Sequence, residues 1–125
     1  MAKILIVDDN TLYRELAGTL LTEAGQDILE AESGEEALRI AQAEHPDLIL
    51  MDLSMPEMDG VTALRRLRQI SAIREVPIVA VTGYPEKWAR ELVTNEGFQG
   101  YIEKPFRPET FVDEALAYLA SAKDA

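Results

Sequence analysis

Lys3-Ile4-Leu5-Ile6-Val7-Asp8-Asp9 is a short apolar run that ends in two adjacent carboxylates. A run of this length without polar alternation reads as a strand buried on both faces of a parallel sheet. The pattern recurs along the chain. Leu48-Ile49-Leu50-Met51 ends at Asp52, Val76-Pro77-Ile78-Val79-Ala80-Val81 at Thr82, and Gly100-Tyr101-Ile102-Glu103 runs into Lys104-Pro105. In an open α/β sheet the crevice outside the carboxyl ends of the strands is where ligands bind. Asp8, Asp9, Asp52 and Lys104 are therefore expected to converge on one small site. Carboxylates gathered that way call for a divalent cation, and an ammonium beside them calls for an anion such as phosphate.

Strands and helices alternate from end to end. Strands are expected near 3–8, 27–32, 47–52, 76–82 and 100–104, and helices near 11–25, 35–45, 60–71, 86–96 and 108–122. Five βα units joined by short connections make a doubly wound parallel sheet with five helices, by the right-handed crossover rule. The second strand, Asp27 to Ser33, is the more polar one and suits a sheet edge. That gives the order 2-1-3-4-5, with the switch point between the first and third strands.

Local signals mark the boundaries. Ser33-Gly34-Glu35-Glu36 has the form of a capping box, and Asp59-Gly60 fits the start of the third helix. Pro85 and Pro108 suit first turns, and Gly25 and Gly97 suit helix ends. In the last helix, the columns Phe111-Ala115-Leu119 and Val112-Leu116-Ala120 form a core-facing stripe. The columns Leu12-Leu16-Leu20 and Tyr13-Ala17-Leu21 of the first helix are likewise expected in the core.

Composition narrows the function. The 125 residues suit one domain, spanning 1–125 with no output domain expected. The chain has no cysteine, and a lone histidine, His45, cannot make a zinc site and is expected to end a helix. The net charge of −11, from 12 basic and 23 acidic side chains, argues against a nucleic-acid surface. Arg65, Arg66, Arg68 and Arg74 lie close together and read as a solvated helix face. Apolar runs stop short of the roughly 18 residues that span a membrane, and Met1-Ala2-Lys3 leads directly into a strand. A cytoplasmic location with no membrane partner is expected.

Each site residue alone has an ordinary reading. A single aspartate before a helix is an N-cap, and a proline after a strand simply ends it. Three carboxylates together are different, because like charges at close range cost energy that Mg2+ relieves. A lysine at a buried strand tip needs a partner, and Lys104-Pro105 is a candidate cis peptide. Thr82 is placed to give a hydrogen bond to a bound anion.

Asp8-Asp9, Asp52, Thr82 and Lys104-Pro105, with Met51-Asp52-Leu53-Ser54-Met55-Pro56-Glu57-Met58-Asp59-Gly60 around the middle member, resemble the response-regulator receiver domain of two-component signalling. The match runs from Lys3 to the last helix. Chemotaxis receivers share the flavodoxin-like 2-1-3-4-5 order, so that order is no independent support. The resemblance implies that Asp52 is the phosphoacceptor, taking a phosphoryl group from a sensor histidine kinase or a histidine phosphotransfer protein. It implies Mg2+ held by Asp9 and Asp52, by Asp8 mainly through water, and by the backbone carbonyl of Ser54. Lys104 would pair with one phosphoryl oxygen and Thr82 with another.

The same resemblance makes Thr82 and Tyr101 a conformational switch acting on the fourth helix, fifth strand and fifth helix, where a downstream protein or a second copy would bind. Ser54 and Tyr84 fall at positions that set the lifetime of the aspartyl phosphate, with Tyr84 as a shield. Such a chain is a stand-alone phosphoacceptor that promotes its own phosphorylation and dephosphorylation, rather than an enzyme. Trp88 is either core or an exposed anchor, and Phe106 with Pro108 would extend a docking patch.

Other classes fit less well. A dehalogenase-like aspartyl phosphatase needs a second aspartate two residues after its nucleophile, where this chain has Ser54. A flavodoxin needs a phosphate-cradling loop after the first strand, where Asp8-Asp9 would repel the ligand. A receiver-like scaffold that never takes phosphate is the remaining alternative, and the intact acidic cluster argues against it.

Overall fold

In the computed structural model, which describes residues 1–55 and 57–124, strands and helices alternate strictly. The order is β1 (Lys3–Val7), α1 (Thr11–Glu23), β2 (Asp27–Ala31), α2 (Gly34–Glu44), β3 (Leu48–Asp52), α3 (Gly60–Leu67), β4 (Ile78–Thr82), α4 (Glu86–Glu96), β5 (Gly100–Glu103) and α5 (Pro108–Asp124). All pairings are parallel, in the order β2-β1-β3-β4-β5. Pro56, where the sequence suggested a turn, lies outside the described residues.

The central strands are apolar throughout because both faces are covered. Leu5, Val7, Ile49, Met51, Ile78 and Ala80 face one core, with Ala37 and Ala41 of α2 and Ala63, Leu64 and Leu67 of α3. Ile4, Ile6, Leu48, Leu50, Val79 and Val81 face the other, with Ala17 and Leu21 of α1 and Phe111, Ala115 and Leu119 of α5. Strand alternation thus sends successive residues into two separate layers.

Two helix starts carry the caps expected of them. Ser33 Oγ accepts from the Glu36 amide at 3.2 Å and Asp59 Oδ1 from the Thr62 amide at 2.8 Å. Asn10 Oδ1 caps α1 by accepting from Tyr13 at 3.1 Å. Pro85 sits at the cap position of α4 rather than inside its first turn. Gly25 and Gly97 end α1 and α4 in the left-handed region, at φ 88° and 93°, where a side chain is strained. His45 ends α2.

Three expectations need correction. The column Leu12-Leu16-Leu20 is not core: Leu12 is 78% exposed and Leu16 is exposed too, and only Leu20 is partly buried. The buried stripe of α1 is Ala17, Gly18 and Leu21, because small residues let the helix approach the sheet closely along that line. The third helix stops at Leu67, and a 3-10 turn, Ser71–Ile73, follows.

Arg68 is not part of a solvated face either. Its guanidinium donates to the carbonyls of Ile73 at 3.0 Å and Val76 at 2.6 Å, and to Gln99 Oε1 at 3.2 Å. It satisfies backbone acceptors that the end of α3 and its turn leave open. Burial lowers its pKa, partly offset by Glu75. Arg65 pairs with Glu96 at 2.7 Å.

Candidate functional site

Parallel register brings the charged tips together. Val7 of β1 lies beside Met51 of β3, and Asp52 lies beside Val81 of β4, so Asp8, Asp52 and Thr82 emerge together at the carboxyl end of the sheet. Lys104 follows the end of β5 through a cis Lys104–Pro105 bond. Its amide donates to the Thr82 carbonyl at 2.8 Å, which ties the last two strand tips to each other.

Among the described residues, the buried polar or charged side chains are Asp8, Asp52 and Thr82, each no more than 5% exposed. A folded core excludes such groups unless they are paired. Here the partner is Lys104, whose ammonium lies 2.7 Å from Asp8 Oδ2 and 3.5 Å from Asp52 Oδ1. Asp9 is exposed at the mouth. One carboxylate oxygen from each of Asp8, Asp9 and Asp52 lies within 4.8 Å of the others. Oxygen donors alone, at that spacing, suit a hard divalent cation.

The electrostatics are unbalanced. Three carboxylates face one ammonium, and the pKa of Asp52 is pushed up to about 6. Burial is the main cause and the Asp8 charge adds to it, while Lys104 and the Ser54 amide oppose it. That amide donates to Asp52 Oδ1 at 3.3 Å. Asp8 is held from its own backbone as well: its Oδ1 accepts from the Asn10 amide at 2.8 Å, and its carbonyl accepts from Arg14 at 2.7 Å. Arg14 also donates to Glu30 at 3.1 Å.

Thr82 does more than its position suggested. Its Oγ1 accepts from the Tyr84 amide at 2.9 Å, so the hydroxyl shapes the β4–α4 loop. Tyr84 is 38% exposed, and its hydroxyl accepts from Ser54 Oγ at 3.1 Å. The two residues singled out for their variable positions therefore touch. Tyr101 is half-buried and packs against the core that carries Leu92 and Val93. The Tyr101 hydroxyl and then Glu86 hold Arg90 firmly in its charged form. Trp88 is 58% exposed and so not core. Phe106 is half-buried between Tyr13 and Phe111 rather than free on the surface.

Arg14 was not singled out from the sequence, and Tyr13 was read there as core rather than as part of the site. Both lie in the first turn of α1, where Arg14 reaches the Asp8 backbone carbonyl and the Tyr13 ring faces the Lys104 ammonium. An arginine or tyrosine next to an acidic strand end is the signal that was available.

The comparisons with known proteins agree with this geometry. A family model described as the response regulator receiver domain matches residues 4–116. The polar-differentiation response regulator DivK of Brucella ovis is 35% identical over 119 residues, covering 95% of this chain and 97% of the relative. The chemotaxis protein CheY4 of Vibrio cholerae superposes with a TM-score of 0.89 at 32% identity, covering 94% of this chain and 98% of that one. The receiver domain of a Pseudomonas aeruginosa sensor histidine kinase, described with a magnesium ion coordinated in its active-site cleft, has a TM-score of 0.85 at 29% identity, covering 95% and 98%. With its parallel sheet, its buried acids and these matches, the chain belongs to the response regulator receiver domain family, whose members accept a phosphoryl group on an aspartate.

Proposed function

We propose that Asp52 is the phosphoacceptor of this receiver, acting with Mg2+ as a stand-alone regulator in the cytoplasm. The donor is a phosphohistidine on a sensor kinase or a phosphotransfer protein. The observation that carries this is the set of buried polar side chains: Asp8, Asp52 and Thr82, joined by Lys104, at the carboxyl end of the sheet.

An Asp52 carboxylate oxygen attacks phosphorus, the P–N bond breaks, and the imidazole leaves with the electron pair and takes up a proton. A raised pKa of about 6 leaves Asp52 mostly ionised near neutrality and therefore nucleophilic. Mg2+ on Asp9, Asp52 and the Ser54 carbonyl, with Asp8 behind a water, would supply positive charge to offset that of the phosphoryl oxygens. Lys104 pairs with one of those oxygens and Thr82 donates to another, giving up its present hydrogen bond from Tyr84 in a new loop arrangement.

Thr82 thus links chemistry to surface. Its movement vacates space for Tyr101 to turn inward, away from Arg90, and this alters the face made by α4, β5 and α5. A downstream protein, or a second copy, reads that face. Tyr84, held by Ser54 at the mouth, screens the aspartyl phosphate from attacking water.

The test is to incubate the protein with Mg2+ and a small phosphodonor and weigh it intact. One phosphate adduct, absent from Asp52→Asn, is expected. No adduct would mark a scaffold, and steady release of phosphate from unrelated phosphoesters would mark a phosphatase.

A further inference from the structure

The ammonium of Lys104 has a third neighbour besides Asp8 and Asp52. It stands 4.4 Å from the centre of the Tyr13 ring. That ring is itself packed: Phe106 meets it in a T-shaped arrangement at 5.4 Å and 79°, and Phe106 lies at 4.4 Å against the buried Phe111 of α5. The Lys104 side chain is only 13% exposed, so the cation and the ring face each other with little water to compete.

We propose that Tyr13 is a positioning residue for phosphoryl capture, its ring face holding the Lys104 ammonium at the mouth while the ammonium exchanges Asp8 for a phosphoryl oxygen. The proposal rests on the reading that Lys104 binds the phosphoryl group. A lysine reaches its partner on a flexible four-carbon stem and loses much rotamer freedom when fixed. Its contact with Asp8 orders it now, yet that contact must loosen if Asp8 turns to a metal. The ring does not compete for the metal and keeps the ammonium in place through the exchange. The aromatic face is what acts, so the phenol oxygen is dispensable.

Beryllofluoride with Mg2+, a stable mimic of the phosphoryl group, measures the effect on the whole chain without turnover. Tyr13→Leu is expected to weaken beryllofluoride binding about tenfold, while Tyr13→Phe stays within about twofold of the parent. Mg2+ affinity in the absence of beryllofluoride is expected to be the same in all three. Lys104→Ala separates the two levels of the reading. If it binds the mimic like the parent, the role of Lys104 is wrong. If it binds weakly while Tyr13→Leu binds normally, only the role of Tyr13 is wrong. Equal losses in Tyr13→Phe and Tyr13→Leu would place the effect in the hydroxyl and also overturn it. In the unsubstituted protein, the Lys104 ε-methylene protons should be ring-current shifted upfield; unshifted resonances would refute the contact independently of any variant.

Discussion

Asp52→Asn should stabilise this protein in the absence of metal, and the gain should depend on pH. Asp52 titrates at about 6 in the fold against an ordinary value of 3.8. Between those values the folded state binds more protons than the unfolded one, so unfolding free energy falls as pH rises through that window. At about 1.36 kcal/mol per pKa unit, the loss amounts to about 3 kcal/mol once the pH exceeds 6. Asparagine cannot ionise and escapes it. Acids remote from Asp52 contribute equally in both proteins and cancel in the difference. The expected gain is about 1 kcal/mol at pH 4.5 and about 3 kcal/mol at pH 7.5, read by urea unfolding with a chelator present. Asparagine also offers Lys104 and the Ser54 amide a neutral acceptor in place of a charged one, which shifts both values without changing their pH trend. The diagnostic quantity is therefore the rise of about 2 kcal/mol between the two conditions. An equal effect at both pH values, or a larger gain in acid, would refute the electrostatic account. Adding Mg2+ at pH 7.5 should then raise the stability of the parent more than that of the variant.

Three further substitutions probe the frame around the site. A Cβ at Gly60 would stand 2.6 Å from the Asp52 carbonyl oxygen and 2.9 Å from Leu53 Cα, both backbone, so Gly60→Ala should cost about 1–3 kcal/mol and slow phosphorylation. Urea unfolding and intact-mass kinetics check the two effects. Arg68→Ala strips the donor from the Ile73 and Val76 carbonyls and should destabilise by about 2 kcal/mol, with Arg68→Lys a partial rescue: one nitrogen, Nη1, meets both carbonyls, whereas the Nη2 bond to Gln99 has no counterpart in an ammonium. Tyr84→Ala should shorten the life of the aspartyl phosphate by opening the mouth beside Ser54; an unchanged dephosphorylation rate would remove the screening role.

The fold was legible because the central strands contain almost nothing but apolar residues and the helix starts carry explicit caps. The strand-tip acids were legible for the same reason: Asp8 and Asp52 are charges placed where a buried strand ends. Helix faces were harder to read. Leu12-Leu16-Leu20 and Tyr13-Ala17-Leu21 are adjacent columns with the same spacing, and periodicity cannot say which one meets the sheet. Packing chose the column with Ala17 and Leu21, beside Gly18, because it allows the closer approach. Arg68 was read as surface because a charged run usually is, and its carbonyl partners only come together once Ser71–Ile73 folds into a turn. Tyr84 and Ser54 lie thirty residues apart, so their contact depends on the register of β3 and β4.

The balance of charge at the site gives an order to the proposed events. Lys104 now serves as the counter-ion of both buried carboxylates, closer to Asp8 than to Asp52. A phosphoryl group brings further negative charge to a place already holding three carboxylates. If Lys104 simply turned to the newcomer, Asp8 would be left buried, charged and unpaired, at a cost of several kcal/mol. Lys104 is thus free to bind a phosphoryl oxygen only when another cation has taken over the acids. Metal dependence of phosphorylation would then reflect two needs at once: charge on the phosphoryl oxygens, and release of the lysine that has to meet them. Asp8→Asn separates them, because it removes the acid that detains Lys104 while sparing Asp9 and Asp52. Beryllofluoride binding in that variant should need Mg2+ as much as before if only the first need exists, and less if the second does.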